Sequence, residues 1–239
     1  MKLLLIGATG RIGRVVLAEA LRRGYHVTAL ARHLGSLATY AHPNLTVAEG
    51  NLLQPTTLGA VVPGHDAVVL VAGGRGPAGT TPLAAGTANL IWQLQCANVQ
   101  RLVVLSRQGA GASLVQMGRW WRWTTRRFNW HRFADHDQQE ENVRQSGLAW
   151  TIVRASELTD GAATGYVAAP TCRQLPAAAR PRLARADVAA FLLDQLVPGA
   201  PVRCALTLAG APAGQAARGA AGAARPNQAW RYAGGAAAQ

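Results

Sequence analysis

The chain has 239 residues and a net charge of +13, and Lys2 is its one lysine, so the basic charge is almost entirely arginine. Such a length suits one α/β domain able to bury a real core. No apolar run reaches the ~20 residues of a membrane-spanning helix. The opening Met-Lys-Leu-Leu-Leu-Ile is too short for a secretory signal. Cys96, Cys172 and Cys204 have neither disulfide-framework nor metal-ligand spacing, so a cytoplasmic protein with reduced thiols and no bound metal is expected. Arginine and alanine enrichment of this kind reflects GC-rich coding more readily than a nucleic-acid surface, and nucleic acid is disfavoured as a partner.

The strongest signal comes first. The apolar run Leu3-Leu-Leu-Ile6 stops at Gly7, and a helical pattern begins near Arg11. That is strand, tight turn and helix. Glycines at 7, 10 and 13 make a G-x-x-G-x-x-G variant of the dinucleotide fingerprint. Gly7 lets the chain turn, Gly10 lets a pyrophosphate approach the backbone, and Gly13 lets the helix lie against the sheet. The helix N-terminus then points its N–H groups at the phosphates. Thr9, Arg11 and Ile12 complete the candidate cofactor turn.

Further along, the pattern predicts a helix over 12–23, closed by Gly24, and a second strand over 26–31. A third strand follows over 45–49 and a fourth over 66–72. After a Gly/Pro loop, a helix is expected over 82–98 and a fifth strand over 101–105. A polar helix over 135–145 leads to a sixth strand over 149–154. A late amphipathic helix over 187–197 and a last strand over 203–208 complete the folded part. Strands alternating with helices predict a doubly wound parallel sheet, a single Rossmann-type α/β domain over residues 1–209. Residues 210–239 are Ala/Gly-rich without an acidic residue, and read as a disordered tail.

In such a sheet, ligands sit at the carboxyl ends of the strands. An acidic residue closing the second strand would hold the ribose 2′-hydroxyl of NAD, but here the position offers Arg32. A guanidinium grips a 2′-phosphate that a carboxylate would repel, so NADP(H) is favoured over NAD(H). Asn51 and Leu52 follow the third strand, with Asn51 placed for the adenine. Ala72, Gly73 and Gly74 are small enough to let the cofactor ribose pass close to the backbone.

The segment 107–134 is the unusual one. It holds Trp120, Trp123, Arg127 and Trp130 at helical spacing. An aromatic face packed on the body of the protein, a lid over the substrate and an interface with a partner are all open.

Several motifs recur together in chain order: Gly7-Ala-Thr-Gly-Arg-Ile-Gly13, Leu30-Ala-Arg32, Asp66-Ala-Val-Val69, Val103-Val-Leu-Ser106, Ser146-Gly-Leu-Ala-Trp-Thr-Ile-Val-Arg154 and Arg185-Ala-Asp-Val188. With these the chain resembles the atypical short-chain dehydrogenase/reductases, in particular the NAD(P)H-binding, NmrA-like group. The resemblance implies a Rossmann fold with a small substrate region, NADP(H) binding and a cytoplasmic setting. Two departures matter. The Tyr-x-x-x-Lys proton-transfer pair of the main group is impossible, because Lys2 lies on the first strand. The proline that usually follows Ile-Val-Arg is Ala155.

Asp135-His136 with Ser146-Gly-Leu148 also resembles biliverdin-IXβ and flavin reductases, which implies Ser106 and His136 as candidate catalytic residues near the nicotinamide. His131 is a weaker substitute. Arg154 and Ala155 fall beside the same site. The function implied is hydride transfer from NADPH to a flat conjugated acceptor such as a flavin or quinone, which needs proximity more than a positioned acid. The alternative is a non-catalytic, NmrA-like NADP(H) sensor acting on a protein or nucleic-acid partner. An epimerase or dehydratase is disfavoured by the missing Tyr/Lys pair. Oligomeric state stays open.

Overall fold

The computed structural model describes residues 1–73, 81–110, 130–170, 175 and 179–212, with the side chains of 130–132 excepted. Its centre is β1 (Lys2–Ile6), in which Leu3, Leu4, Leu5 and Ile6 are all buried. Alternate side chains of a strand point to opposite faces, so unbroken burial means that both faces of the sheet are covered. On one face Leu3 and Leu5 meet Val16, Leu17 and Ala20 of α1 (Arg11–Arg22) and Val188, Phe191 and Leu192 of α5 (Arg185–Asp194). On the other, Leu4 and Ile6 join a layer with Leu58 of α2 (Pro55–Val61), Leu90 and Leu94 of α3 (Pro82–Cys96) and Val143 of α4 (Trp130–Gln145). Proline opens both α2 and α3, where its fixed φ suits the first turn and its missing N–H costs nothing.

The described residues form an eight-stranded sheet. β2 (His26–Ala31) and β3 (Leu45–Glu49) lie to one side of β1; β4 (Ala67–Leu70), β5 (Arg101–Arg107) and β6 (Ala149–Ala155) lie to the other. Two short strands, β7 (Glu157–Thr159) and β9 (Arg182–Ala184), pair as a separate parallel ribbon. β8 (Tyr166–Pro170) closes the large sheet antiparallel to β10 (Cys204–Gly210). The order β3-β2-β1-β4-β5-β6-β10-β8 is parallel up to β10, and it reverses direction between β1 and β4. That reversal is the crevice where doubly wound sheets take their ligands. The fold is the single Rossmann-type domain expected from the sequence.

Differences from the expectation are local. α2, the 3-10 turn at Leu34–Leu37 and β7, β8 and β9 are additions. β4 is shorter than the 66–72 run. The late helix begins two residues earlier than expected, so Asp187 lies in its first turn, and it ends at Asp194 instead of 197. β10 reaches Gly210, and Ala211 is buried with its N–H on Gly165 O, so ordered packing runs just past residue 209. Residues 213–239 of the expected tail and 111–129 of the aromatic segment lie outside the described residues, as does Cys172. Among the described residues no helix is long and apolar enough to cross a membrane. No cluster of His, Cys, Asp or Glu among them could hold a metal ion.

Candidate cofactor and substrate site

The glycine turn joins β1 to α1 at the crevice, and its three glycines do three different things. Gly7 sits at φ +93°, and a Cβ there would lie 2.7 Å from Ala72 N, where the chain leaves β4. A Cβ on Gly13 would collide with Gly7 O and lie 2.8 Å from Ala8 Cα, so α1 rests directly on the turn. Both glycines are required by the protein's own packing. Gly10 is not: a Cβ there meets nothing nearer than Gly7 O at 3.4 Å, and its backbone is ordinary extended chain at φ −72°. Its open side faces outward at the α1 N-terminus. No side chain caps that terminus and no acidic residue stands in its first turn. Bare N–H groups and the positive end of a helix dipole beside a gap that a side chain would fill suit a pyrophosphate. The residues fit a dinucleotide.

The expected cofactor residues follow the ends of four neighbouring strands, β1, β2, β3 and β4. Arg32 follows β2 directly, is exposed, and makes no hydrogen bond or ion pair among the described residues. Arg14, which the sequence reading passed over, reaches from the first turn of α1 to Thr9 O and Ser36 O, both at 3.3 Å. It thus spans the glycine turn and the 3-10 turn that follows Arg32. Its spacing of one residue after Gly13 was the available signal. Ile12 is half-buried against the α1 side of the core, and Thr9 is exposed.

Arg11 points elsewhere. Its guanidinium is paired with Asp160, which also takes Arg185 Nη1 at 2.5 Å. The loop after β7 is therefore tied to the glycine turn across the crevice. Its next stretch is held by Asp187, which accepts from Thr164 N at 2.9 Å and Gly165 N at 3.2 Å. Asp187 belongs to the Arg185-Ala-Asp-Val188 motif, and this clamp gives that motif a physical role.

Asn51 is used locally: its Oδ1 accepts from Leu53 N at 3.0 Å in a tight turn, while its backbone N–H and C=O both bond Thr57 Oγ1. Among the described residues the Asn51 side-chain amide nitrogen makes no hydrogen bond. Leu52 fills the space over Gly86 of α3, where a Cβ would lie 2.6 Å from its side chain. Ala72 is half-buried and Gly73 exposed at the end of β4; Gly74 lies outside the described residues.

The far side of the crevice is built on a buried carboxylate that the sequence reading did not single out. Ser106, the next-to-last residue of β5, donates its hydroxyl to Glu140 Oε1 at 2.7 Å. Arg154 of β6 binds the same carboxylate at two points, Nε to Oε1 at 2.9 Å and Nη2 to Oε2 at 2.6 Å. Arg144 adds a fourth contact at 2.7 Å. Burial alone would raise the Glu140 carboxyl, but the hydrogen bonds from Arg154 and Ser106 and the charges of Arg154 and Arg144 outweigh it and hold the pKa below the usual range. Ser106 and Arg154 are buried and committed to this carboxylate, so as they stand they support the crevice wall. Ala155 is buried opposite Arg107 in register.

His136 stands one turn before Glu140 on α4, partly exposed, with Nδ1 3.3 Å from Gln139 Oε1. Burial first, and the charge of Arg107 second, lower its pKa, which favours the neutral ring. Arg107 itself lies over the Phe133 ring at 5.3 Å. Next to His136, Asp135 accepts from the N–H groups of Ala84 at 2.8 Å and Leu83 at 3.2 Å, and so caps α3 from the neighbouring helix. α4 is thus not the solvated polar helix that its composition suggests; Asp135, Gln139 and Glu140 are buried. The side chain of His131 lies outside the described residues.

Fold and glycine cradle together define a Rossmann-type dinucleotide-binding protein. Residues 7–197 match the NAD(P)H-binding family model, and the chain belongs to that family. It is 28% identical over 184 residues to the photosystem II assembly factor Ycf39 of Trieres chinensis, covering 74% of this chain and 51% of that protein. It is 30% identical over 157 residues to an NAD(P)H azoreductase of Xenophilus azovorans, covering 64% and 46%. The chain spans about half the length of these two relatives.

Among solved structures, a short-chain dehydrogenase/reductase of Veillonella parvula in complex with NADP superposes with TM-score 0.73 at 21% identity, over 89% of this chain and 95% of that one. ChuY, an anaerobilin reductase of Escherichia coli O157:H7, gives 0.72 at 22% identity, over 87% and 96%. At such identities the superpositions establish the fold.

Proposed function

We propose that the chain is an NADPH-dependent reductase that passes hydride to a flat, conjugated acceptor such as a flavin or quinone, in a cytoplasmic setting. The observation that carries this reading is the Gly10 cradle. It is a gap that the protein's packing does not require, at an uncapped helix N-terminus in the crevice between β1 and β4. Arg32 at the end of β2, with Arg14 beside the same turn, supports NADP(H) over NAD(H), because two guanidinium groups suit a 2′-phosphate.

NADPH bound there supplies two electrons and one proton as hydride, leaving NADP⁺. The second proton reaches the reduced acceptor from solvent. The chain's own part is to bind, orient and shield. Gly7 and Gly13 bring α1 onto the turn, Glu140 locks the ends of β5 and β6, and His136 and Arg107 stand on the substrate side. No positioned acid is needed for acceptors of this kind. The name borne by the NAD(P)H azoreductase relative supports a conjugated acceptor.

Spectrophotometric loss of NADPH with a panel of flavins, quinones and azo compounds, and NADH in parallel, tests the reading. Turnover that prefers NADPH is expected. Folded protein that oxidises NADPH with none of them ends it. A second reading, a cofactor-loaded protein that acts on a partner, draws on the assembly-factor relatives and on the commitment of Ser106 to Glu140. Binding of NADPH without turnover would favour it.

A further inference from the structure

α3 and α4 meet along a seam of buried polar side chains, and there the direction of each hydrogen bond is forced. Thr87 Oγ1 lies 2.7 Å from Leu83 O. A carbonyl can only accept, so the hydroxyl proton points at it. Towards its other partner Thr87 Oγ1 must accept, and that partner is Gln139 Nε2 at 3.2 Å. The Gln139 amide is thereby fixed, with Oε1 turned to His136 Nδ1 at 3.3 Å. An amide oxygen also only accepts, so the proton of the imidazole sits on Nδ1. On a neutral ring, Nε2 then carries a bare lone pair.

From this chain of contacts we infer that Gln139 is a positioning residue. It holds His136 in the Nδ1–H tautomer, so that the imidazole meets the acceptor through Nε2 as a hydrogen-bond acceptor and not as a proton donor. A backbone carbonyl in α3 sets this state through two side chains. Among the described residues, the groups that surround His136 are Arg107 from β5, Asp135 and Glu140 from its own helix, and the polar but uncharged Thr87 from α3 through Gln139.

The acceptor's chemistry follows, and this step rests on the reductase reading above. The acceptor presents an N–H or O–H donor on the edge that meets His136, as the imide edge of a flavin or a hydroxylated quinone does. A bare quinone or an azo compound without such a donor lacks this contact. The proton that completes reduction comes from solvent, since His136 has none to give from Nε2.

Heteronuclear NMR of the full chain, with its histidines labelled in both ring nitrogens, reads the tautomer directly, and the resonance lost in His136→Gln assigns it. The wild-type ring is expected to be protonated on Nδ1. Gln139→Leu should release it to a mixture of tautomers. Thr87→Val should move it in the same direction, and Gln139→Glu, which keeps an oxygen acceptor, should preserve it. With NADPH saturating, Gln139→Leu should raise KM for a donor-bearing acceptor about two- to tenfold with kcat nearly unchanged, and leave an acceptor without a donor unaffected.

A wild-type proton on Nε2, or a Gln139→Leu spectrum identical to wild type in a folded protein, overturns the inference. Equal effects of Gln139→Leu on both kinds of acceptor overturn the part about the acceptor. A fixed Nδ1–H tautomer in a protein that reduces nothing upholds the positioning role and sinks the reductase reading instead.

Discussion

Glu140 on α4 and Arg154 on β6 form a two-point ion pair in which both side chains are completely buried. Such a pair is costly to break on one side, because the remaining charge has no solvent to turn to. Glu140→Gln should therefore destabilise the protein by about 3–5 kcal/mol, measured by urea unfolding. Replacing both residues with methionine should recover most of that loss, since the pair gains little over apolar packing. The pH dependence has a definite sign. The folded-state carboxyl titrates below its ordinary value of 4.5, so its contribution is complete above that pH and is lost as pH falls through the lowered folded value. Glu140→Gln should flatten the acid limb of the stability profile.

The glycine turn offers a separation of folding from binding. Gly10 has φ −72° and open space around a would-be Cβ, so Gly10→Ala should fold with stability within about 0.5 kcal/mol of wild type. The added methyl occupies the approach of the pyrophosphate, and NADPH affinity should drop at least about tenfold by calorimetric titration. Gly13→Ala should behave in the opposite order. Its Cβ would strike the Gly7 carbonyl and Ala8 backbone, which are not flexible, and unfolding should occur about 1–3 kcal/mol earlier. If both variants lose stability equally, Gly10 serves packing and not a ligand.

The contrast between these two glycines also shows what a sequence can carry. Spacing alone announced a turn and a helix start, because each follows from local backbone geometry. The strands were legible for the same reason: parallel strands buried on both faces are continuous apolar runs, and β1, β2, β5 and β6 read that way. β8 escaped because Tyr166-Val-Ala-Ala-Pro170 is short and half-buried at the sheet edge, with no alternation to mark it. α4 was legible as a helix and misleading as a surface. Asp135, Gln139 and Glu140 look solvated in any local window. They are buried because Leu83, Ala84, Thr87, Ser106 and Arg154 bring partners from three other elements. Long-range pairing of this kind leaves no periodic trace. Ser106 bonds Glu140 and His136 bonds Gln139, and neither of those two partners was legible in the sequence.

Cofactor choice is expected to depend on Arg32 and Arg14 together. Arg32→Ala should weaken NADPH binding about ten- to hundredfold, the scale of a charge-assisted hydrogen bond, while NADH changes by less than about twofold. Arg14→Ala should shift the same ratio in the same direction. Its two contacts to Thr9 O and Ser36 O are long, at 3.3 Å, so the guanidinium can turn to a 2′-phosphate at small cost. Titration of both cofactors against each variant checks this. Equal losses for NADH and NADPH would mean that neither arginine reads the phosphate.

Asp160 connects the substrate-side loop to the glycine turn through Arg11, and it is itself anchored by the mostly buried Arg185. On the proposed reading, a pyrophosphate arriving at the α1 N-terminus would compete with this carboxylate for the Arg11 guanidinium. Both members of the Arg11–Asp160 pair are largely exposed, so solvent and salt weaken it and the competition is mild. Asp160→Asn should accordingly tighten NADPH binding by no more than about fivefold, and the gain should shrink as salt is raised. Arg11→Ala should loosen binding, and adding Asp160→Asn to it should change nothing further, because the two act on one contact. The measurement is the NADPH dissociation constant of the two single variants and the double variant at low and high ionic strength. Weaker binding by Asp160→Asn alone would reverse the argument: the carboxylate would then be aiming Arg11 at the phosphate instead of withholding it.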